Sequence, residues 1–179
     1  MAPALALAEA TDLHRVAFHA AQFKNVIADQ LDTAETAGAL PAWSFPAAGP
    51  GADSAMARAV SLLTLALPGA IRWRTEAPCA GADVGPSRAD HGRSAGALGI
   101  CPSALAWRTE LQTFPQLQWE ESTNPCVLHF SRPHGWHSVT NFGPGPALLP
   151  KGIVVVTSRP TPDGVLGPAT TAWLLRWVG

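Results

Sequence analysis

The stretch WHSVTNFGPGPALLP, residues 136–150, reads as a β-strand that ends in a turn and restarts. Strand alternation sends Trp136, Ser138 and Thr140 to one face and His137, Val139 and Asn141 to the other. Pro144 and Gly145 then interrupt the strand before Leu148, Leu149 and Pro150. Gly143 and Gly145 are read as giving this turn a permissive backbone, which makes it structural rather than catalytic. Around it lie LQWEES, CVLHFS, ALL, GIVVVTS and TTAWLLRW, each punctuated by Gly or Pro. A strand roughly every ten residues predicts a small antiparallel β-sandwich over residues 116–179. In CVLHFS, Cys126, Leu128 and Phe130 are expected to point inward.

Upstream the periodicity changes. Leu13, Val16, Ala20, Phe23, Ile27, Leu31 and Ala34 recur at three- and four-residue steps, predicting a helix from Thr11 to Ala37 with one buried face. Thr11 suits its cap and Gly38 its stop. LPAWSF predicts a short strand, and a second helix begins near Asp53 or Ser54 and ends at Pro68-Gly69. AIRWRTE alternates Ile71 and Trp73 against Arg72, Arg74 and Glu76, predicting a further strand. Residues 77–103 are rich in Ala, Gly, Pro and Ser without a period, and predict an irregular segment. A connecting helix occupies 104–115. The expected fold class is therefore α+β.

Composition narrows the function. The chain has 179 residues, 14% of them charged, with a formal net charge of −1. That excludes the basic footprint of a nucleic-acid partner and a polybasic membrane patch. The longest apolar run, AVSLLTLAL, is far shorter than the ~20 residues a membrane span requires. MAPALALAEA has no positive leader, so it does not read as a secretion signal. Cys79, Cys101 and Cys126 form no close pair, which argues against a disulfide framework or structural zinc and for a reducing, cytoplasmic setting.

The order of these segments resembles the C-terminal portion of family 13 glycoside hydrolases, the α-glucosidase and oligo-1,6-glucosidase group. GALPAWSF is similar to the strand that ends in N-H-D in that family. Leu67-Pro68-Gly69 is similar to the helix end that feeds the eighth barrel strand. Thr140-Asn141-Phe142-Gly143, Leu149-Pro150-Lys151-Gly152 and SRPTPDGVLGPATTAWLLR resemble the family's C-terminal sandwich. The resemblance implies a partial (β/α)₈ barrel over residues 1–76, followed by the all-β sandwich. It also implies a family activity of hydrolysing α-glucosidic bonds, a possible α-glucan or maltooligosaccharide ligand, and a possible protein partner for the exposed barrel remnant.

The chemistry of that family needs a carboxylate nucleophile, a carboxylic acid and a third, stabilising Asp. The nucleophile's G-x-R-x-D pattern does not occur in this sequence, and Pro46-Ala47-Ala48 stands where N-H-D would follow PAWSF. LALAEA resembles the strand carrying the acid, which makes Glu9 the one candidate. A lone carboxylate cannot run the mechanism, so no hydrolysis by this chain alone is expected. No cofactor or metal is expected either. His129, His134 and His137 could converge around a hairpin, but without a carboxylate or thiol at ligand spacing they read as exposed imidazoles of a polar turn. His91 reads as solvated, and Cys79 and Cys126 as inert. Two other readings remain open. One is a non-catalytic glucan- or protein-binding module using exposed Trp119, Trp136 or Trp177. The other is a decayed gene product.

Overall fold

A computed structural model describes residues 6–45, 54–73 and 102–176. Among them the chain is mixed α+β, with three α-helices and a five-stranded antiparallel sheet. The helices are α1 (Ala20–Thr36), α2 (Ala55–Ala66) and α3 (Pro102–Leu111). Strands β1 (Ala42–Phe45) and β2 (Ala70–Trp73) pair in parallel, with Ala42 opposite Ala70 and Phe45 opposite Trp73. Helix α2 connects them, making a βαβ unit. On the other side of β1, Leu7 bridges Leu40 and Thr11 bridges Trp43, both in parallel. The chain takes four steps between those bridges where β1 takes three, so residues 8–10 carry a bulge.

This pairing displaces the start of the first helix. Thr11 does not cap α1; its hydroxyl donates to Gln30 Oε1 at 2.7 Å, and a short 3₁₀ turn at Leu13–Arg15 follows. α1 begins only at Ala20, with Phe23, Ile27 and Ala34 buried along one stripe. Its end is as expected: Gly38 adopts φ 60°, and the amides of residues 37–39 bond back to Thr33, Glu35 and Ala34. α2 also follows its sequence, Ser54 accepting from the Ala57 amide at 3.1 Å and Pro68-Gly69 ending it.

The antiparallel sheet has the order β3–β4–β5–β9–β7. Its strands are β3 (Gln118–Trp119), β4 (Val127–Arg132), β5 (Trp136–Asn141), β7 (Ile153–Thr157) and β9 (Thr170–Leu175). β6 (Ala147–Leu148) and β8 (Val165–Leu166) form a separate two-stranded ribbon. The central strand β5 is buried at all six positions, so it is covered on both faces. Trp136, Phe130, Leu128, Val156 and Trp173 join one continuous core with Phe23, Ile27, Trp43, Leu63 and Leu65 from the helical half. On the outer face Val139, Ala172 and Leu174 pack with Leu166 of the ribbon.

α2 is buried from Ala59 to Ala66 because it lies between the parallel strands and the antiparallel sheet. Two guanidiniums tie down its C-terminal carbonyls. Arg108 of α3 donates to Leu65, Leu67 and Gly69 carbonyls at 2.5, 3.1 and 2.6 Å. Arg132 of β4 donates to Ala66 at 2.6 Å, and its other amino group reaches Leu111 at 2.8 Å and Phe114 at the end of α3. A cation at a helix C-terminus meets both the unpaired carbonyls and the negative end of the helix dipole.

The opening turn is organised by a side chain. Asn141 Nδ2 donates to the carbonyls of Gly145, Leu166 and Gly167 at 2.8, 3.0 and 3.1 Å, while its Oδ1 accepts from the Gly143 amide at 2.9 Å. Neither Gly143 nor Gly145 has a positive φ. Gly143 is required for room instead: a Cβ there would lie 2.9 Å from that of Cys126.

Candidate functional site

Parallel β-strands followed by helices place ligand-binding groups at their carboxyl ends. The described residues there are His14, Phe45, Ser61 and Trp73. His14 Nε2 lies 3.4 Å from Ser61 Oγ and its ring is 5.8 Å from Phe45, which packs on Trp73 at 4.8 Å. Burial holds the His14 imidazole below its ordinary pKa, against the opposing pull of the Asp12 carboxylate. The segments that follow β1 and β2, with Arg74, Glu76, Cys79, His91 and Cys101, lie outside the described residues. Glu9 sits within the bulge of the first extended segment and is exposed. Its main-chain carbonyl accepts from Gln30 Nε2 of α1 at 2.9 Å. This end of the molecule is lined by rings and an imidazole rather than by paired carboxylates among the described residues.

A second concavity, about 590 Å³, opens between α1 and the β3–β4 edge. Trp119 forms part of its wall, half-buried and edge-on to Phe130 at 5.9 Å. Lys24 Nζ lies over the Trp119 ring, 5.4 Å from its centroid, so a cation already occupies one face of that indole. Glu120, Glu121 and Asn124 supply polar groups to the same cleft. Of the other tryptophans proposed for binding, Trp136 is only 3% exposed and packs on Trp173; Trp177 lies outside the described residues.

Of the three histidines only His134 is exposed at the turn, as expected. His129 and His137 are buried on the outer face of the sheet, with His129 Nε2 3.0 Å from His137 Nδ1. Strand register explains the encounter: His129 opposes Val139, so His137 is its diagonal neighbour on the same face. His134 instead tips the β4–β5 hairpin at φ 64°, edge-on to Phe114 at 4.5 Å. Among the described residues no group of three or more His, Cys, Asp or Glu is arranged to hold a metal. Burial, then the His137 ring, push His129 down to about 4, with Glu120 opposing. Burial and Arg176 lower His137 as well. Glu120 is held below the ordinary carboxylate range chiefly by the Ser131 hydroxyl, which donates to it at 2.6 Å. Both imidazoles are therefore neutral at pH 7, one donating its N–H to the other's lone pair.

Sequence reasoning missed this pair because it assigned CVLHFS its inward face through Cys126, Leu128 and Phe130 alone. The opposite face of β4 was assumed to be solvated. It also missed Arg108 and Arg132, which have no special spacing in the sequence.

No protein-family profile matches the chain, and no curated protein is significantly similar to it. No described helix is long and apolar enough to cross a membrane.

Proposed function

We propose that this chain carries the C-terminal part of a family 13 α-glucosidase architecture, barrel remnant followed by β-sandwich, and that it does not hydrolyse α-glucosidic bonds by itself. The observation that carries this reading is the parallel β1–α2–β2 unit, extended by the strand-like residues 6–11, sharing one core with an antiparallel sheet that follows it in sequence. The alternation of parallel strand and helix supports this reading, since it is the repeating unit of a (β/α)₈ barrel. Retaining hydrolysis requires two carboxyl groups about 5–5.5 Å apart on opposite sides of the scissile bond. Glu9 is exposed, and the sequence holds no G-x-R-x-D nucleophile to pair with it.

The test is an assay of the purified full chain on 4-nitrophenyl α-glucoside and isomaltose. No release of nitrophenol or glucose above the protein-free rate is expected. Turnover that disappears in Glu9→Gln would overturn the proposal. A glucan-binding role is the alternative, favoured by Trp119 beside polar groups in an open cleft. It would reveal itself as saturable maltooligosaccharide binding that Trp119→Ala abolishes.

A further inference from the structure

The imidazole pair on the outer face of the sheet can do what neither ring can do alone. His129 Nε2 and His137 Nδ1 are 3.0 Å apart, so the pair holds one proton between its inner nitrogens. The outer nitrogens, His129 Nδ1 and His137 Nε2, bond to no protein group among the described residues, and neither is sealed from water. Each neutral ring carries one N–H. When His129 supplies the inner proton, its Nδ1 is a lone pair and His137 Nε2 is an N–H. When His137 supplies it, the two ends exchange roles. One end of the pair therefore always accepts while the other donates.

Position gives the His129 end something to act on. His129 lies in the wall of the cleft of about 590 Å³ between α1 and the β3–β4 edge, and His137 does not. The two nitrogens of an imidazole point away from each other. With Nε2 turned toward β5, Nδ1 faces the β3 side, where the cleft lies. Lys24, Glu120, Asn124 and the Trp119 indole share that wall. Burial is the largest influence on both rings and keeps them neutral; Arg176 acts in the same direction and Glu120 opposes it. A single imidazole acting as a base must end as an imidazolium, which this environment disfavours. Two rings that pass a proton through in one motion end neutral.

We propose that His129 and His137 form a proton relay that acts as a general base toward water or a hydroxyl group held in the cleft. This role does not depend on the glucosidase reading. For an ester the steps balance as follows. The oxygen of water bonds to the acyl carbon, and its proton passes to His129 Nδ1. The Nε2 proton of His129 passes to His137 Nδ1, and the Nε2 proton of His137 leaves to solvent. The bond from the acyl carbon to the alcohol oxygen then breaks, and the departing alkoxide takes a proton from solvent. The pair is left in its other tautomer, and exchange of the outer protons with water resets it. His129 is the catalytic residue, and His137 acts through it.

Hydrolysis of ethyl dichloroacetate by the full chain, followed by acid release, tests this, because attack of water on that ester responds to general bases. His129→Gln should slow the protein-catalysed rate about tenfold or more. The native rate should hold from about pH 7.5 to about pH 5.5, where a free imidazole is about nine-tenths protonated. His137→Gln leaves His129 Nε2 a hydrogen-bond partner but cannot pass a proton on. In mixtures of light and heavy water the native rate should curve with deuterium fraction, as two moving protons require, and become linear in His137→Gln. A thermal transition shows whether each variant is folded. If one is not, nitrogen-15 NMR of the native chain decides: ring nitrogens averaged between the two tautomers support the relay, and one fixed tautomer overturns it. A native rate that falls along an ordinary imidazole titration, an undiminished rate in folded His129→Gln, or the same deuterium dependence in both chains would each overturn the proposal.

Discussion

Asn141 does at one residue what the neighbouring glycines were expected to do by composition. Its amide satisfies three carbonyls from two separate turns, and its oxygen holds the Gly143 amide. Asn141→Ala takes this partner from the buried Leu166 carbonyl and Gly143 amide, and a loss of about 3 kcal/mol is expected in denaturant unfolding. Asn141→Asp should be no better, since a carboxylate cannot donate to carbonyls. The imidazole pair gives a pH dependence with a definite sign. Both pKa values are lower in the folded chain than the ordinary 6.5, His129 reaching about 4. Between those values the unfolded chain takes up protons that the folded chain refuses. The stabilisation is thus complete above about pH 6.5 and is lost as pH falls toward 4. For His129 the loss is on the order of 3 kcal/mol. Unfolding midpoints at pH 7, 5 and 4 should fall more steeply for the native chain than for His129→Gln; parallel slopes would refute the assignment.

At the scale of elements, the β4–β5 hairpin depends on Gly135. It adopts φ 72°, and a Cβ at this position would lie 1.9 Å from the Arg176 carbonyl oxygen, the close approach that lets Arg176 donate its amide to the Gly135 carbonyl at 2.7 Å. Gly135→Ala is expected to cost at least about 2 kcal/mol and to shift backbone resonances at both ends of the hairpin. The alanine variant at Gly145, where nothing lies within 4 Å, should be nearly neutral. Elements whose limits are set by local chemistry were readable in advance: α2 between Ser54 and Pro68, the Gly38 stop, and the alternating faces of β5. The start of α1 was not readable. Leu13 and Val16 continue the apolar period of Ala20 and Phe23, yet residues 6–11 gain main-chain partners on β1 that a longer helix would forgo. Periodicity reports which side chains are buried, and both arrangements bury Leu13.

The whole molecule is held by a core common to its helical and β parts. Val60, Leu63 and Leu65 of α2 lie in the same cluster as Phe130, Trp136 and Trp173 of the sheet. Thr171 Oγ1 reinforces the junction by donating to the Ala59 carbonyl at 2.8 Å. A core shared in this way predicts one cooperative transition on heating. At about 0.7 kcal/mol per residue, its enthalpy should be on the order of 100 kcal/mol. Two separate transitions, or a single one of roughly 40 kcal/mol from the sheet alone, would show that the halves fold independently.

The sequence by itself determined the α+β class, the order of a helical part before an all-β part and the alternating faces of β5, because those follow from apolar period, caps and turn residues within a short window. Only the tertiary structure decided which polar residues matter. His129 meets His137 through strand register, and Arg108 meets Arg132 through the packing of α2 and α3 against the sheet. Asn141 collects acceptors up to 26 residues away. Hydrogen bonds and buried charge depend on where distant segments come to lie, and a local sequence pattern carries no trace of that position.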